Sequence, residues 1–424
     1  MKLLFVHQNF PGQFKHICRV LAAQGRHQVV FLTKPNDNHI AGIQKVVYTP
    51  QRAPTPNIHH YIGEYENGVL HGQAVVREVL KLRQTGFVPD VMIGHNGWGE
   101  TLFLKDVFPK PPLLSYFEFF YRSRGADVGF DPEFETSFDD LFRVRAKNSI
   151  NLLGMDAADW GLSPTEWQRS RYPDYFRPRI SVIHEGVDTD TLTPKRIDVV
   201  ALPNGRTLPR NAEIVTYVSR NLEPYRGFHV FMRALPEILR RRPRAHVLIL
   251  GGDEVSYGRR LPAGDSYRKR MLAEVTIDPE RVHFLGRIPY DQFVGVLHAS
   301  SVHVYLTYPF VLSWSMLEAM SCGCLVIGSA TPPVQEVIRD RENGLLVDFF
   351  STGQIADRVD EVLDHPDRMA ALRVAARQTI IDRYDLRRLC LPRFAALINR
   401  LVAGEAPEQG WPVPRPELVD VPRA

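Results

Sequence analysis

Short apolar runs alternate with segments of helical period along almost the whole chain. A run of about four to eight apolar, β-branched or aromatic residues is typical of a buried strand, and strands separated by helices form parallel sheets with helices on both faces. The pattern therefore predicts an α/β fold of two doubly wound, Rossmann-like units in tandem. The predicted strands lie at 3–6, 29–32, 45–48, 91–93, 113–117, 160–163 and 180–183, and then at 213–218, 245–250, 282–284, 302–305, 325–327 and 344–347.

The length requires more than one core. The 424 residues exceed the roughly 250–300 at which a single hydrophobic core stops growing, so we expect domains at residues 1–190 and 213–385. Residues 191–212 carry several prolines and no hydrophobic period, which predicts an interdomain linker. A long helix is predicted at 386–402. The proline-rich residues 403–424 cannot continue that helix, so the final segment 386–424 is predicted as a helix followed by an extended tail.

Membrane and secretory classes are disfavoured. No run approaches the roughly 18 apolar residues of a membrane span, and the first apolar run is cut off at once by His7 and Gln8. It is therefore predicted to be a strand, and we expect a cytoplasmic protein. The four cysteines show neither metal-binding spacing nor the pattern of a secreted disulfide framework, which predicts free thiols.

The net charge of +4 fits anionic ligands but is far from the charge of a nucleic-acid-binding protein. Basic residues on or near the first helix leave two alternatives open, a peripheral contact with the inner membrane face or a solvated helix face. These residues are Lys15, His16, Arg19 and Arg26.

Residues 308–328 have the pattern of a ligand site, in which a loop, a helix, a glycine and a buried strand follow one another. Ser313 or Ser315 can cap the helix, and Gly323 ends it. Glu318 lies among apolar neighbours on this helix. A carboxylate in such surroundings needs a partner, and ligands of α/β proteins bind at the carboxyl edge of a parallel sheet. The alternative is an amphipathic surface helix on which Glu318 is solvated.

Two strand-to-helix turns also point to anions. Arg220 and Arg226 flank such a turn, with Gly227 directly behind. Two guanidinium groups and backbone N–H donors can hold a diphosphate without a metal; the alternative is a pair of solvated arginines. In the first half, Gly12 follows the first strand and permits close approach of a ligand to a helix N-terminus. No GxGxxG motif is present, which disfavours a dinucleotide-binding domain.

Five segments taken in order resemble the retaining glycosyltransferases of family 4, which have the GT-B fold. They are residues 162–167, 182–188, 218–227, 283–286 and 317–323, and the resemblance covers about residues 1–400. It implies two Rossmann-like domains that face each other across a cleft. It also implies a UDP-, GDP- or ADP-sugar donor bound mainly to the second domain, an acceptor bound to the first, and a last helix that crosses back to the first domain.

The resemblance assigns roles to the donor site. Arg220 and Arg226 match the basic pair on the donor diphosphate, whose second member is usually lysine. Glu318 matches the second acid of a two-glutamate signature, which holds the ribose. Phe310 stands where the first acid contacts the sugar hydroxyls, so recognition of the donor sugar is assigned to the loop 311–315. The expected donor-binding residues are Gly12, Ser219, Arg220, Arg226, Gly286, Arg287, Ser313, Trp314, Ser315 and Glu318.

The acceptor site is expected after the strands 91–93 and 113–117, where His95, Trp98, Glu100 and Glu118 follow. Trp98 can stack on a sugar ring, and the acids can accept hydrogen bonds or act as a base. A packed tryptophan and surface acids are the alternative. The expected catalytic residues are Arg220, Arg226, Glu118 and His95. The acidic loop 127–135 fits no metal-binding template, and no metal site or cofactor is expected.

The predicted activity is metal-independent transfer of a hexose-type sugar, with retention, to a hydroxyl of a glycan, a lipid-linked intermediate or a small glycoside. Two alternatives stay open. A GT-B nucleotide-sugar epimerase needs no acceptor, and a non-catalytic nucleotide-sugar-binding protein would account for the missing first glutamate.

Overall fold

The chain forms two compact units in a computed structural model that describes residues 1–195, 197, 199–201, 205, 207–209 and 212–407. Unit 1 comprises Met1–Gly186 and the chain from Leu386 onward, and unit 2 comprises Val187–Asp385. Each unit contains one parallel sheet with helices on both faces. The predicted α/β architecture of two Rossmann-like units is therefore confirmed.

The sheet of unit 1 has seven parallel strands in the order β3-β2-β1-β4-β5-β6-β7. All side chains of β4 and β5 are buried, as expected for strands covered on both faces. Each predicted strand of this half is present. The strands are β1 (Lys2–Val6), β2 (Gln28–Thr33), β3 (Ile43–Val47), β4 (Val91–His95), β5 (Leu113–Tyr116), β6 (Trp160–Ser163) and β7 (Ile180–Val182).

Helices follow most of these strands. They are α1 (Lys15–Ala23), α2 (Gly63–Gln84), α3 (Leu104–Val107), α4 (Phe138–Lys147), α5 (Ser149–Ala157) and α6 (Glu166–Arg171). A capping box between Ser137 and Asp140 begins α4, and the Thr165 side chain caps α6 by accepting from the N–H of Gln168.

Two short antiparallel strands lie within the predicted linker, β8 (Val199–Ala201) and β9 (Thr207–Pro209). The other residues of that segment lie partly outside the described residues, as does the predicted tail from residue 408.

The sheet of unit 2 has six parallel strands in the order β12-β11-β10-β13-β14-β15. They are β10 (Glu213–Asn221), β11 (Ala245–Gly252), β12 (Val282–Gly286), β13 (Val302–Tyr305), β14 (Val326–Ser329) and β15 (Leu345–Val347). The helices are α7 (Phe228–Arg241), α8 (Tyr267–Glu274), α9 (Tyr290–Ala299), α10 (Trp314–Ser321), α11 (Pro332–Gln335), α12 (Thr352–Asp364) and α13 (Pro366–Tyr384).

The last helix, α14 (Leu391–Val402), returns to unit 1 after a π-helical turn at Leu386–Cys390. Leu397 and Phe394 of α14 belong to the same buried cluster as Leu3 and Phe5 of β1 and Leu21 of α1. The expectation that the last helix belongs to the first domain is confirmed, because its apolar face completes the core on one side of the first sheet.

In both sheets the strand order reverses at one point, between β1 and β4 in unit 1 and between β10 and β13 in unit 2. Chain connections leave in opposite directions there, which opens a crevice outside the carboxyl ends of the two strands where α/β proteins bind ligands. Within the described part of the chain, no helix is long and apolar enough to cross a membrane. All four cysteines are free and buried, as predicted.

The packing of α14 is testable by truncating its central buried leucine. Leu397 is fully buried, so Leu397→Ala should lower the free energy of unfolding by about 2–5 kcal/mol through lost burial and a residual cavity. Leu80 of α2 is 40% exposed, and Leu80→Ala should cost less than about 1 kcal/mol. Urea unfolding followed by circular dichroism measures both, and equal losses would contradict a core role for α14.

Candidate functional site

A buried histidine stands at the strand-order reversal of unit 1. His7 directly follows β1, and its side chain is fully buried. Its Nδ1 accepts the backbone N–H of Asn9 at 2.8 Å, and its Nε2 lies 2.6 Å from Oε1 of Gln13. Because Nδ1 must carry a lone pair to accept, the proton of the neutral ring is on Nε2 and is donated to Gln13.

Burial lowers the pKa of His7 to about 3, and the neighbouring His95 also lowers it. The imidazole is therefore neutral at physiological pH. Gly12, at φ +54°, leaves room for the ring, since a Cβ on this residue would lie 2.5 Å from Cε1 of His7. The side of Gly12 that lacks a side chain thus faces His7. Its predicted role in the close approach of a ligand stays a prediction.

The hydrogen bonds continue from Gln13 to the end of β5. Nε2 of Gln13 donates to Oε1 of Glu118 at 3.0 Å. The other carboxylate oxygen, Oε2, lies 3.3 Å from Nε2 of His95, whose Nδ1 accepts the backbone N–H of Gly97 at 2.9 Å. His95 thus has the same tautomer as His7 and donates to Glu118. Its side chain is 2% exposed and that of Glu118 is 31% exposed, so the carboxylate is the accessible member of this pair.

Aromatic rings fix the plane of His95. Its ring stacks on Trp98 with centroids 4.0 Å apart and an interplanar angle of 20°, and Tyr116 lies on it at 5.3 Å. His7 contacts His95 and Trp98 edge-on, both at 5.2 Å. The Tyr116 hydroxyl donates to Glu185, and burial, together with the charges of Glu185 and Glu118, raises the pKa of this phenol. The phenol of Tyr116 therefore stays protonated at neutral pH.

Three of the four predicted acceptor-site residues, His95, Trp98 and Glu118, are brought together. The fourth is separate, because Glu100 is 1% exposed and accepts a 2.7 Å hydrogen bond from the hydroxyl of Tyr48. Its placement in an accessible pocket is corrected, since the left-handed Gly99 packs on Gly68 of α2 and turns the following residue inward.

In unit 2 the two predicted arginines lie in different environments. Arg220 is exposed near the end of β10. Arg226 is 6% exposed, and its Nη1 donates to Oγ1 of Thr307 at 2.7 Å and to the carbonyl of Val311 at 2.9 Å. Arg226 thereby ties the turn before α7 to the loop that follows β13. The predicted binding of a diphosphate by Arg220 and Arg226 stays a prediction.

A second buried charge orders the loop after β11. Glu223 is fully buried, and its carboxylate accepts the backbone N–H groups of Ser256, Tyr257 and Gly258 at 3.0–3.1 Å. Three N–H donors replace the water that an ionised carboxylate loses on burial. The loop is thereby fixed beside the end of β10.

Arg287 follows β12 and reaches across β11 to the end of β10. Its Nη2 donates to Oδ1 of Asn221 at 2.8 Å and to Glu254 at 2.6 Å. Gly252 at the end of β11 makes this possible, because a Cβ there would lie 2.6–2.7 Å from Asn221 Oδ1 and Arg287 Nε. Gly286 precedes Arg287 at φ +65°. Ser219 is buried, and its hydroxyl donates to the carbonyl of Asn221.

The helix α10 carries the other predicted donor residues. Ser313 caps it by accepting the N–H of Ser315, and the two hydroxyls are 2.9 Å apart. Trp314, the first residue of the helix, is 41% exposed. Glu318 is half-buried and accepts a 2.7 Å hydrogen bond from the hydroxyl of Tyr290, the first residue of α9. Of the two predicted caps, Ser313 and Ser315, Ser313 is the one that caps α10.

Phe310 is buried among aromatic rings rather than presented to an open site. Its centroid lies 5.0 Å from that of Tyr257 and 5.3 Å from that of Tyr225, and Tyr225 also packs on Tyr308 at 4.7 Å. The guanidinium of Arg226 lies 5.3 Å from the ring of Tyr257. These contacts join the loops after β11 and β13.

Several residues of these clusters were not predicted from the sequence. They are His7, Gln13, Asn221, Glu223 and Tyr290. All lie at or just after the carboxyl end of a strand or at the start of a helix. Because ligands of α/β proteins bind at that edge, the position of these residues in the sequence could have indicated them.

The comparisons with known proteins point to glycosyltransferases. Residues 25–192 match the family described as Glycosyl transferase family 4 group, and residues 203–379 match the family described as Glycosyl transferases group 1. The D-inositol 3-phosphate glycosyltransferase of Mycolicibacterium smegmatis is 32% identical over 44% of this chain and 41% of its own length. The GDP-mannose-dependent alpha-(1-6)-phosphatidylinositol monomannoside mannosyltransferase of the same organism is 27% identical over 57% of this chain and 62% of its own length. The chain thus spans less than two thirds of the length of these relatives.

Solved structures with the same fold align over nearly the whole chain. Sucrose-phosphate synthase from Thermosynechococcus elongatus superimposes with a TM-score of 0.71 at 17% identity, covering 96% of this chain and all of the other. Anabaena HepE in complex with UDP-glucose superimposes with a TM-score of 0.62 at 15% identity, covering 95% of this chain and 98% of the other. At these identities the likeness establishes the fold, and it confirms GT-B.

The fit of His7 against Gly12 is testable with two alanine substitutions. Gly12→Ala and Gly25→Ala both place a side chain on left-handed backbone, at φ +54° and +64°, which costs roughly 1–2 kcal/mol. Only position 12 adds a collision, because nothing lies within 4 Å of a Cβ at Gly25. Gly12→Ala should therefore cost about 1–3 kcal/mol more in urea unfolding. Equal losses would show that the His7 ring does not occupy this space.

Proposed function

We propose that this chain, a member of the family 4 glycosyltransferases with the GT-B fold, transfers a sugar from a nucleotide-diphosphate sugar to an acceptor hydroxyl with retention of anomeric configuration. The observation that carries the proposal is the placement of Arg220, Arg287 and Glu318 at the carboxyl edge of one sheet, beside its strand-order reversal. Cationic and carboxylate groups at one such edge suit a ligand that contains both phosphate and ribose.

The nucleotide is assigned to the second unit. The carboxylate of Glu318 accepts from the Tyr290 hydroxyl, and a carboxylate also accepts hydrogen bonds from ribose hydroxyls. The half-buried position strengthens these hydrogen bonds relative to water. The base is assigned to the backbone after Gly286, where Arg287 is fixed by Asn221.

The diphosphate is assigned to Arg220 and to the N-terminus of α10. Negative charge develops on the leaving diphosphate during transfer, so a guanidinium and N–H groups aimed at it lower the barrier. Arg226 keeps a part in this site by fixing Thr307 and Val311, and therefore the loop that leads into α10. Because these groups can neutralise the diphosphate, we propose a metal-independent reaction, and activity should persist in excess EDTA.

The acceptor is assigned to the first unit, where Glu118 and Trp98 combine a carboxylate with an aromatic surface. Sugars offer hydroxyls in the ring plane and C–H groups on the ring face, which match these two groups. A glycan, a lipid-linked intermediate or a small glycoside meets this description. A contact with the inner membrane face would suit a lipid-linked acceptor.

The donor sugar is open to direct test. HepE was solved with UDP-glucose, and the mannosyltransferase relative is named for GDP-mannose, so these two donors are the first to assay, with D-inositol 3-phosphate as acceptor. Product formation with inverted configuration, or an epimer formed from donor alone, would contradict the proposal. Nucleotide binding without turnover of either donor would favour a non-catalytic binding protein.

The role of Glu318 is testable by calorimetry. Glu318→Gln removes the charge but keeps the shape, and it should weaken UDP or GDP binding by about 10- to 100-fold through loss of charge-assisted hydrogen bonds to ribose. Glu342→Gln is the control, because this side chain is 67% exposed and lies on the loop between α11 and β15. Unchanged affinity of the Glu318 variant would return this acid to the solvated helix face.

The role of Arg220 is testable by steady-state kinetics. Arg220→Ala should lower kcat by about 100-fold because a charge on the leaving diphosphate is lost, while the melting temperature should change little at this exposed position. Arg244→Ala is the control, because this arginine is 86% exposed and precedes β11 at the amino edge of the same sheet. A wild-type kcat in the Arg220 variant would remove it from the donor site.

A further inference from the structure

We infer that Gln13, oriented by His7, is a positioning residue that aims the carboxylate of Glu118 at the acceptor hydroxyl. The inference rests on the proposed function, because it concerns the acceptor side of that reaction. It is carried by a chain of hydrogen bonds that runs from Asn9 through His7 and Gln13 to Glu118.

The direction of every hydrogen bond in this chain is determined. The Asn9 N–H can only donate, so it leaves His7 with its proton on Nε2. That proton requires an acceptor, which selects the Oε1 end of the Gln13 amide for His7. The NH₂ end must then point to Glu118. The orientation of one surface carboxylate is therefore set by a backbone N–H in the turn after β1.

The opposite orientation of the Gln13 amide is unfavourable on both sides. The carbonyl oxygen of Gln13 would then lie 3.0 Å from Oε1 of Glu118, where two acceptors repel each other. The NH₂ group of Gln13 would lie 2.6 Å from the Nε2–H of His7, where two donors repel each other. The ring of His7 cannot rotate to adapt, because Gly12 and Phe14 contact it and Trp98 meets its edge. Gln13 is thus held in one of its two orientations.

His95 holds the carboxylate from the second side. Its Nε2–H donates to Oε2 of Glu118, while Gln13 donates to Oε1. The Glu118 side chain is 31% exposed, so an incoming hydroxyl can reach the carboxylate. His95 also stacks on Trp98. The ring of His95 therefore contacts both the carboxylate of Glu118 and the aromatic surface of Trp98.

Gln13 and His95 both donate to the carboxylate of Glu118. Nearby groups with charge or titratable protons include His7, through Gln13, Tyr116 on β5 and Tyr172 after α6, and beyond Tyr116 the carboxylate of Glu185 and its neighbour His184. The two tyrosines stay protonated, because burial and nearby acids raise their pKa well above the usual value. A substitution of Gln13 or His95 therefore removes a direct hydrogen bond to the carboxylate of Glu118.

The test uses the full chain with UDP-glucose and D-inositol 3-phosphate. Gln13→Glu keeps the shape and the acceptor for His7 but sets two carboxylates against each other. It should lower kcat/KM for the acceptor by about 10- to 100-fold at pH 8 and by less at pH 6, because a shared proton relieves the repulsion at lower pH. Gln84→Glu, at the exposed end of α2, is the matched charge control.

The role of His7 is separated from simple packing by two substitutions. His7→Gln can still donate to Gln13 and should retain most acceptor turnover. His7→Phe fills the space without a donor, and its acceptor turnover should fall as far as that of Gln13→Ala. A constant ratio of wild-type to Gln13→Glu activity across pH, or equal losses in both His7 variants, would overturn the inference.

Failure of the proposed function is recognised separately. If the wild-type protein transfers no sugar from UDP-glucose or GDP-mannose, the proposed function fails, and histidine-labelled protein still tests the hydrogen-bond chain by long-range ¹H–¹⁵N correlation spectra. Both His7 and His95 should carry their proton on Nε2. A proton on Nδ1 of either ring would break the directed chain and overturn the inference.

Discussion

Burial of both faces of each parallel sheet is the constraint from which the rest of the molecule follows. A strand covered by helices on both sides can hold few polar side chains, and those of β4 and β5 are buried throughout. Polar groups are therefore displaced to the loops at the strand ends. The reversal of strand order in each sheet separates two of these loops, and His7 with His95 in unit 1 and Arg220 with Thr307 in unit 2 lie on either side of such a reversal.

Buried charged side chains at these edges form hydrogen bonds with groups of the neighbouring loops, and these hydrogen bonds order the loops. Glu223 binds three consecutive N–H groups, and Arg226 binds a carbonyl and a hydroxyl of the loop after β13. Removing either group would leave its partners buried and unsatisfied, at about 1–3 kcal/mol for each. These two residues give the exposed groups nearby, Arg220 and Trp314, a rigid frame.

The sequence allowed the strands and the last helix to be predicted because periodic burial is a local property of the chain. Side-chain role was harder to predict, because it depends on which side of a loop faces the interior. Arg226 and Arg220 have the same charge and lie six positions apart, yet one is buried and the other exposed. Glu100 follows a left-handed glycine that turns it toward Tyr48, which spacing alone does not reveal. His7 could have been singled out, since it follows the central strand directly.

At Phe310 the departure from the family pattern involves the neighbouring residues as well as the position itself. The residue is 6% exposed, and Tyr225, Tyr257 and Tyr308 surround it or its neighbours. A glutamate at this position would bury a carboxylate against aromatic rings and would cost several kcal/mol unless the loop moved. The surroundings of Phe310 therefore suit an apolar side chain and not an acid. The loop from Val311 to Ser313 is held by Arg226 and Tyr305, which donate to or accept from its backbone.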